Sequence, residues 1–189
     1  MTRGRVGLAV LFVAIAAALA WVLFAGVPRW AARATTRPAT TASTPAAPGR
    51  RIKARLFYVA ESGQKLAGTE REVAYGEGTI EQAKEIVEAQ IAPSVEPFVS
   101  AIPPGTTLRA IYLAPGGEAF VDFSGDISRA HPGGTLNELL TIYTIVDALS
   151  ANLPAVTSVQ ILVDGKEVDT LAGHVDLRRA LTRNLDIVE

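Results

Sequence analysis

Hydrophobic and polar positions follow two regimes along the chain. Val6 to Val27 is an unbroken run of 22 residues without a charge. At about 1.5 Å of rise per residue, a helix of that length spans roughly 33 Å, enough to cross a hydrocarbon core of about 30 Å. Trp21, Phe24 and Trp30 lie toward its C-terminal end, where aromatic rings favour the membrane interface. From Arg51 onward the pattern becomes amphipathic. Arg51 to Ala60 predicts a strand that turns fully apolar, Glu61-Ser62-Gly63-Gln64 a turn, and Glu70 to Tyr75 a second, shorter strand. Thr79 and Gln82 have the spacing of a capping box. Ile80, Ala83, Val87 and Ile91 then share one helical face, and Pro93 and Pro97 stop the helix.

Leu108 to Leu113 and Glu118 to Phe123 predict two short strands joined by Ala114-Pro115-Gly116-Gly117. Thr135 and Glu138 form a second capping box. Behind them Leu136, Leu139, Leu140, Tyr143, Val146 and Leu149 make a broad apolar stripe that ends before Pro154. Ser158 to Val163 predicts a strand, Asp164-Gly165 a hairpin turn, and Lys166 to Val168 the short return. The order β-β-α-β-β-α-β-β predicts an α/β (α+β) domain: a largely antiparallel sheet with two helices packed on one face, behind a single transmembrane helix.

The expected organisation is a short basic tail over 1–5, a transmembrane anchor over 6–27, a linker over 28–50, and one domain over 51–189. Arg3, Arg5 and Ala32-Arg33-Ala34 also suit a cleaved signal peptide, but its apolar region is usually about 7–15 residues. The length favours an uncleaved anchor. Arginines flank the run on both sides, so the positive-inside bias does not choose an orientation. The linker is built from Pro, Thr, Ala and Arg, with almost no large apolar residue after Trp30, and reads as a disordered spacer.

Charge divides just as sharply. Residues 1–55 hold nine of the 18 Lys and Arg and no acid, which leaves nine against 19 Asp and Glu in residues 56–189, a net of −10. The basic arm suits anionic lipid head groups, while the acidic domain argues against nucleic acid as a partner. The chain has no cysteine, so neither a disulfide nor a lipidated N-terminal cysteine is available.

Several segments together resemble the GerMN (sporulation and spore germination) domain family. Ser100-Ala101-Ile102-Pro103-Pro104-Gly105-Thr106-Thr107-Leu108 is similar to the family's S-x-IPPGT-x-L segment. Ala119-Phe120-Val121-Asp122-Phe123-Ser124 resembles its A-x-VDFS. Val156 to Lys166, closing on Val163-Asp164-Gly165-Lys166, resembles its V-x-x-V-x-I-x-VDGK, and Leu56-Phe57-Tyr58-Val59 is similar to its first strand. The resemblance covers about residues 51–175. It implies an α/β module of bacterial envelope proteins, displayed outside the cytoplasm and not known as an enzyme. The chain departs from the family in having one copy rather than two and no lipidated cysteine. Ile102, Pro103, Pro104, Gly105, Val121, Asp122, Phe123, Ser124, Val163, Asp164 and Gly165 are read as a signature of fold.

Other chemistry is thinly supported. Asp122, Ser124 and Asp126 could offer oxygens to a hard cation, but the EF-hand ligand pattern is absent. His131 and His174 stand far apart in sequence. Ser124, His174 and an Asp could be assembled into a triad, yet no G-x-S-x-G elbow supports one. Gly76-Glu77-Gly78 lacks the lysine of a phosphate loop. No catalytic residue, metal or cofactor is expected. The expected function is a membrane-anchored, extracytoplasmic, non-catalytic interaction module of a cell-envelope, sporulation or germination complex. Its partner would be an envelope protein or a second copy. The alternative is a module that binds peptidoglycan or another wall polymer.

Overall fold

The computed structural model describes residues 49–189. The expected tail over 1–5, the span over 6–27 and all but the last two residues of the expected linker lie outside the described residues. Among the described residues no helix is long and apolar enough to cross a membrane.

Strands β1 (Arg51–Val59) and β2 (Leu66–Ala74) form an antiparallel hairpin in unbroken register, from Arg51 opposite Ala74 to Val59 opposite Leu66. β2 starts four residues earlier than its pattern predicts. Leu66-Ala67-Gly68-Thr69 does not alternate, but these residues lie opposite the apolar end of β1, and that pairing overrides local propensity. Leu66 is also bridged in parallel by Val188, near the C-terminus.

Helix α1 (Gly78–Ile91) lacks the predicted capping box, since Glu77 is its N-cap and no side chain caps it. The Gln82 amide reaches back to the strand instead. Its Oε1 accepts from Gly76 N at 3.0 Å and its Nε2 donates to Ala74 O at 3.1 Å, so helix and hairpin are tied directly. The buried face is Ala83, Ile86, Val87 and Gln90, and Ile80 is largely exposed rather than part of it.

Strands β3 (Leu108–Leu113) and β4 (Glu118–Phe123) occur with the predicted bounds. A one-turn helix that the pattern does not signal, α2 (Asp126–Arg129), follows β4. Helix α3 (Thr135–Asn152) is buried on nearly all sides and again has no side-chain cap, because Glu138 points inward. Strand β5 (Ser158–Val163) and the two-residue β6 (Lys166–Glu167) complete a sheet in the order β3-β4-β5-β6. A 3-10 turn at Leu185–Ile187 closes the chain.

The mixed α/β fold and its predominantly antiparallel pairing agree with the sequence expectation, with two differences. The strands make two sheets, not one, and β4 pairs with β5 in parallel. The second difference has a topological cause: the chain leaves β4 and returns only after α2 and α3, and a long helical crossover is the connection that parallel neighbours require. The core is centred on α3 and includes Phe57, Phe123, Ile142, Ile145, Leu149 and Ile161, all buried.

Side-chain amides close one edge of the hairpin. Asn152 exchanges two hydrogen bonds of 2.8 Å with the main chain of Arg55. Gln90 does the same with Phe57, at 2.8 and 2.7 Å. Val59 N donates to Val99 O at 2.8 Å and completes the row. Two carboxamides thus stand in for a neighbouring strand and satisfy backbone groups that burial would otherwise strand.

Candidate functional site

The signature residues fall at two adjoining places. Ile102 and Pro103 are buried, and Pro104 and Gly105 are exposed at the bend before β3. Pro104 and Gly105 occupy the central positions of a turn in which Thr106 N donates to Pro103 O at 3.4 Å. Gly105 has φ +81, the left-handed value that the third residue of a type II turn requires, with proline favoured before it. The Thr106 hydroxyl reinforces the bend through a 2.7 Å bond to the same carbonyl.

The other signature segments interlock at the end of β4. Val121 and Phe123 point into the core and are fully buried, which leaves Asp122 on the opposite face. The Asp122 carboxylate is 5% exposed as a residue. Gly165 N donates to its Oδ1 at 2.7 Å, and Arg109 Nε to its Oδ2 at 3.0 Å. Arg109 can reach because β3 carries a bulge between Leu108 and Ala110, and a bulge re-aims the extra side chain. Its Nη1 also donates to Asp164 Oδ1 at 3.0 Å, an oxygen that accepts from Gly125 N at 3.1 Å as well. Asp164 N in turn donates to Phe123 O at 2.9 Å. Val163, partly buried, ends β5 beside Phe123. Asp164 and Gly165 both have positive φ, +51 and +77, as a type I′ hairpin turn demands.

Ser124 accepts from Thr107 N at 3.1 Å, and its hydroxyl donates to Asp126 Oδ2 at 3.2 Å. Arg129 Nη2 donates to Asp126 Oδ1 at 3.0 Å. The arginines therefore neutralise the carboxylates that a cation would have used. Among the described residues no three or more His, Asp or Glu gather as a metal site.

The two histidines lie apart from this corner, and His174 alone bonds to the next carboxylate. Glu138, 0% exposed, holds the irregular segment after β6 to α3. Its Oε1 accepts from Leu171 N at 2.7 Å and Ala172 N at 2.9 Å. Its Oε2 accepts from His174 N at 2.9 Å and from the His174 ring Nδ1 at 3.2 Å. Burial pushes the Glu138 pKa up, but backbone donors at Ala172, His174, Leu171 and Val175 outweigh it and hold the carboxyl below its ordinary value.

His131 Nδ1 accepts from Gly133 N at 2.9 Å, which leaves the ring proton on Nε2, 3.2 Å from the Thr141 hydroxyl. Burial lowers its pKa, against upward pulls from Glu138 and from the Asn137 backbone. The Thr141 hydroxyl is itself within 2.6 Å of Ala101 O. Ser124 and His174 thus bond to different partners, and the Ser-His-Asp grouping that can be written from the sequence is not formed.

Sequence reasoning missed Arg109, Gln90, Asn152 and the inward role of Glu138. Each is a polar residue inside an apolar pattern, which was the available signal. Glu138 was assigned to a capping box because its spacing from Thr135 fits one.

Together the hairpin, the four-stranded sheet and the central helix define a small mixed α/β module whose turn residues are fastened to one another. Residues 55–169 match the sequence model of the family described as Germane, sporulation and spore germination, and the chain belongs to that family. A search of curated protein sequences returns no match. Solved structures share the fold. A crystal structure from Clostridium perfringens assigned as a lipoprotein is 20% identical, with a TM-score of 0.50, over 70% of this chain and 87% of that one. The tandem GerMN domains of the sporulation protein GerM from Bacillus subtilis are 14% identical, with a TM-score of 0.55; the match covers 70% of this chain and 46% of that one. The first GerMN domain of the same protein is 14% identical, with a TM-score of 0.50, over 70% of this chain and 98% of that one.

Proposed function

We propose that the chain is a non-catalytic interaction module of a bacterial cell-envelope, sporulation or germination complex. In this reading the apolar run Val6–Val27 anchors it in the membrane, and the domain over 51–189 lies outside the cytoplasm. The observation that carries the proposal is the internal use of the polar groups. Asp122, Asp164, Ser124, Glu138 and both histidines are hydrogen-bonded within the domain. This supports reading the signature residues as elements of the scaffold. Family membership and the uncharged 22-residue run support the setting.

The contact that strand chemistry favours is the outer edge of β2. Among the described residues no strand pairs with it between Ala67 and Val73, whereas β1 is closed by amides, β5 by β6 and Leu181, and β3, which ends the other sheet, has α1 packed against it. An exposed edge of this kind can accept a strand from a partner. A small domain on a tether raises its local concentration near such a partner.

Crosslinking in cells through a photoreactive residue at Thr69 or Arg71, followed by mass spectrometry, tests the proposal. An adduct to an envelope protein or to a second copy is expected. Recovery of uncrosslinked chain alone at both positions refutes the contact. Protease added to spheroplasts should remove the domain, and its protection there refutes the topology.

A further inference from the structure

The last nine residues lie across three elements at once. Leu181 and Val159 exchange two backbone hydrogen bonds of 2.8 Å, which covers the start of β5. At the other end Val188 bridges Leu66, and Glu189 N donates to Leu66 O at 2.9 Å, which covers the start of β2. Ile187 is buried between these points. The middle of the segment is fastened to α3 by one polar contact, in which Asn184 N donates to Asp147 Oδ1 at 3.1 Å.

Asp147 is 0% exposed, and its second oxygen has no hydrogen-bond partner among the described residues. The same holds for Thr144 Oγ1 and Ser150 Oγ, one turn before and one turn after it on α3. A buried carboxylate oxygen to which no group donates is costly to ionise. The site therefore suits the neutral form of Asp147.

We propose that Leu181–Glu189 is a strap closed over Asp147 of α3, and that ionisation of this carboxyl, whose bare oxygen is hydrated only when the strap lifts, favours release of the strap and uncovers the strand edges at Val159 and Leu66. The charged group that acts on Asp147 is Arg183, on the strap itself; β1, α1 and β5, the other elements packed on α3, contribute none. Arg183 is exposed, so water screens its pull toward the ionised form.

Burial raises the Asp147 pKa to about 6, against smaller downward pulls from the Asn184 N–H and Arg183. A group whose folded pKa lies above its unfolded value supports the folded state most strongly at low pH. That support is lost as pH rises from about 4 to about 6 and stays constant above. The latch is therefore tight in mildly acidic surroundings and slack at neutral pH. Release would also lengthen the open edge of β2 by exposing Leu66. It does not depend on which partner the module takes.

Amide hydrogen exchange on the purified full chain in detergent, corrected for intrinsic exchange, tests the latch. Protection of residues 181–189 should fall about tenfold between pH 5 and pH 7.5, while Phe57 and Val121 keep theirs. In Asp147→Asn, which keeps the acceptor for Asn184 and cannot ionise, protection should stay flat. Equal loss in the variant, or no loss in the parent, overturns the proposal. Should the variant not fold, direct NMR titration of the Asp147 carboxyl decides it. A midpoint near 6 that the Asn184 amide follows is expected, and a midpoint near 4, or an Asn184 amide indifferent to it, overturns the proposal.

Discussion

Glu138 and Asp147 are nine residues apart on α3, both 0% exposed, and opposite in electrostatic outcome. Glu138 receives three backbone N–H groups and a histidine ring, and its pKa is held down. Asp147 receives one N–H, and its pKa is pushed up to about 6. Burial acts on both, and the number of donors decides the sign. A carboxylate inside a protein is stable as an anion when the main chain surrounds it with N–H groups. The irregular segment around 171–174 is folded to do this for Glu138. The C-terminal segment makes a single contact of the kind.

The comparison breaks first at Glu138. Glu138→Ala would leave the buried N–H of Leu171 and the partly buried ones of Ala172 and His174 without their acceptor, the buried one costing about 1–3 kcal/mol and the others less, so a loss of about 3–4 kcal/mol is expected in chemical denaturation at pH 7. A loss below about 1 kcal/mol would mean that water replaces the carboxylate and that the anchor is not structural. Asp147 should behave in reverse. A shift of about two pKa units corresponds to about 3 kcal/mol, so Asp147→Asn should gain up to that amount at pH 7. The pH profiles should also be opposite. Glu138, with a lowered folded pKa, supports the fold above its unfolded value of 4.5 and loses that support as pH falls. Asp147 gains support over much the same acidic range. Denaturation from pH 4 to pH 7 should therefore show Asp147→Asn rising relative to the parent up to about pH 6 and levelling off above it. A constant difference would remove Asp147 ionisation as the cause.

These two residues also mark where sequence reading stops. Strands β3, β4 and β5 were legible to the residue, because short alternating runs bounded by Gly, Pro and Asp carry both period and punctuation. The two long helices were legible from their apolar spacing, but their starts were misread. Thr79 with Gln82, and Thr135 with Glu138, satisfy a capping-box spacing that says nothing of where the second side chain is needed. Gln82 is needed by the end of β2 and Glu138 by a segment more than thirty residues away, and such long-range demands leave no local periodicity. The parallel pairing of β4 with β5 was hidden for the same reason. The Asp122 and Asp164-Gly165 segments could be singled out by family likeness, but their mutual fastening through Arg109 could not, since a β-bulge is invisible in the pattern Leu-Arg-Ala-Ile-Tyr-Leu.

A smaller effect sharpens the contrast between closed and open edges. Gln90→Leu keeps the volume of the buried side chain but strips Phe57 of both its main-chain partners. A loss of about 2–3 kcal/mol is expected in thermal or chemical denaturation, along with concentration-dependent association, because the freed edge of β1 can then template another strand. Glu70→Pro, at a β2 position whose N–H faces away from β1 because Arg55 opposite it bonds to Asn152, should reduce partner crosslinking without comparable association. Light scattering across a concentration series separates the two. Equal association in both variants would show that the amide row is not what keeps the β1 edge closed.

The smallest effect lies at the interlocked corner of β4 and β5, and it isolates backbone conformation from contact. Gly165 has φ +77, and a methyl group built on it would meet Asp122 Oδ2 at 3.9 Å, an ordinary van der Waals distance. Gly165→Ala therefore adds no clash and leaves the N–H to Asp122 Oδ1 in place, so its cost is that of a left-handed conformation in an L-residue, about 1 kcal/mol. Asp164 already bears such a φ of +51 with a side chain, which asparagine and aspartate tolerate best. If Gly165→Ala costs about 1 kcal/mol and Asp122→Asn a similar amount, the corner is a sum of modest local terms. If either exceeds about 3 kcal/mol in denaturant unfolding, Arg109, Asp122 and Asp164 act as one cooperative network. Its loss would then rank beside that of Glu138.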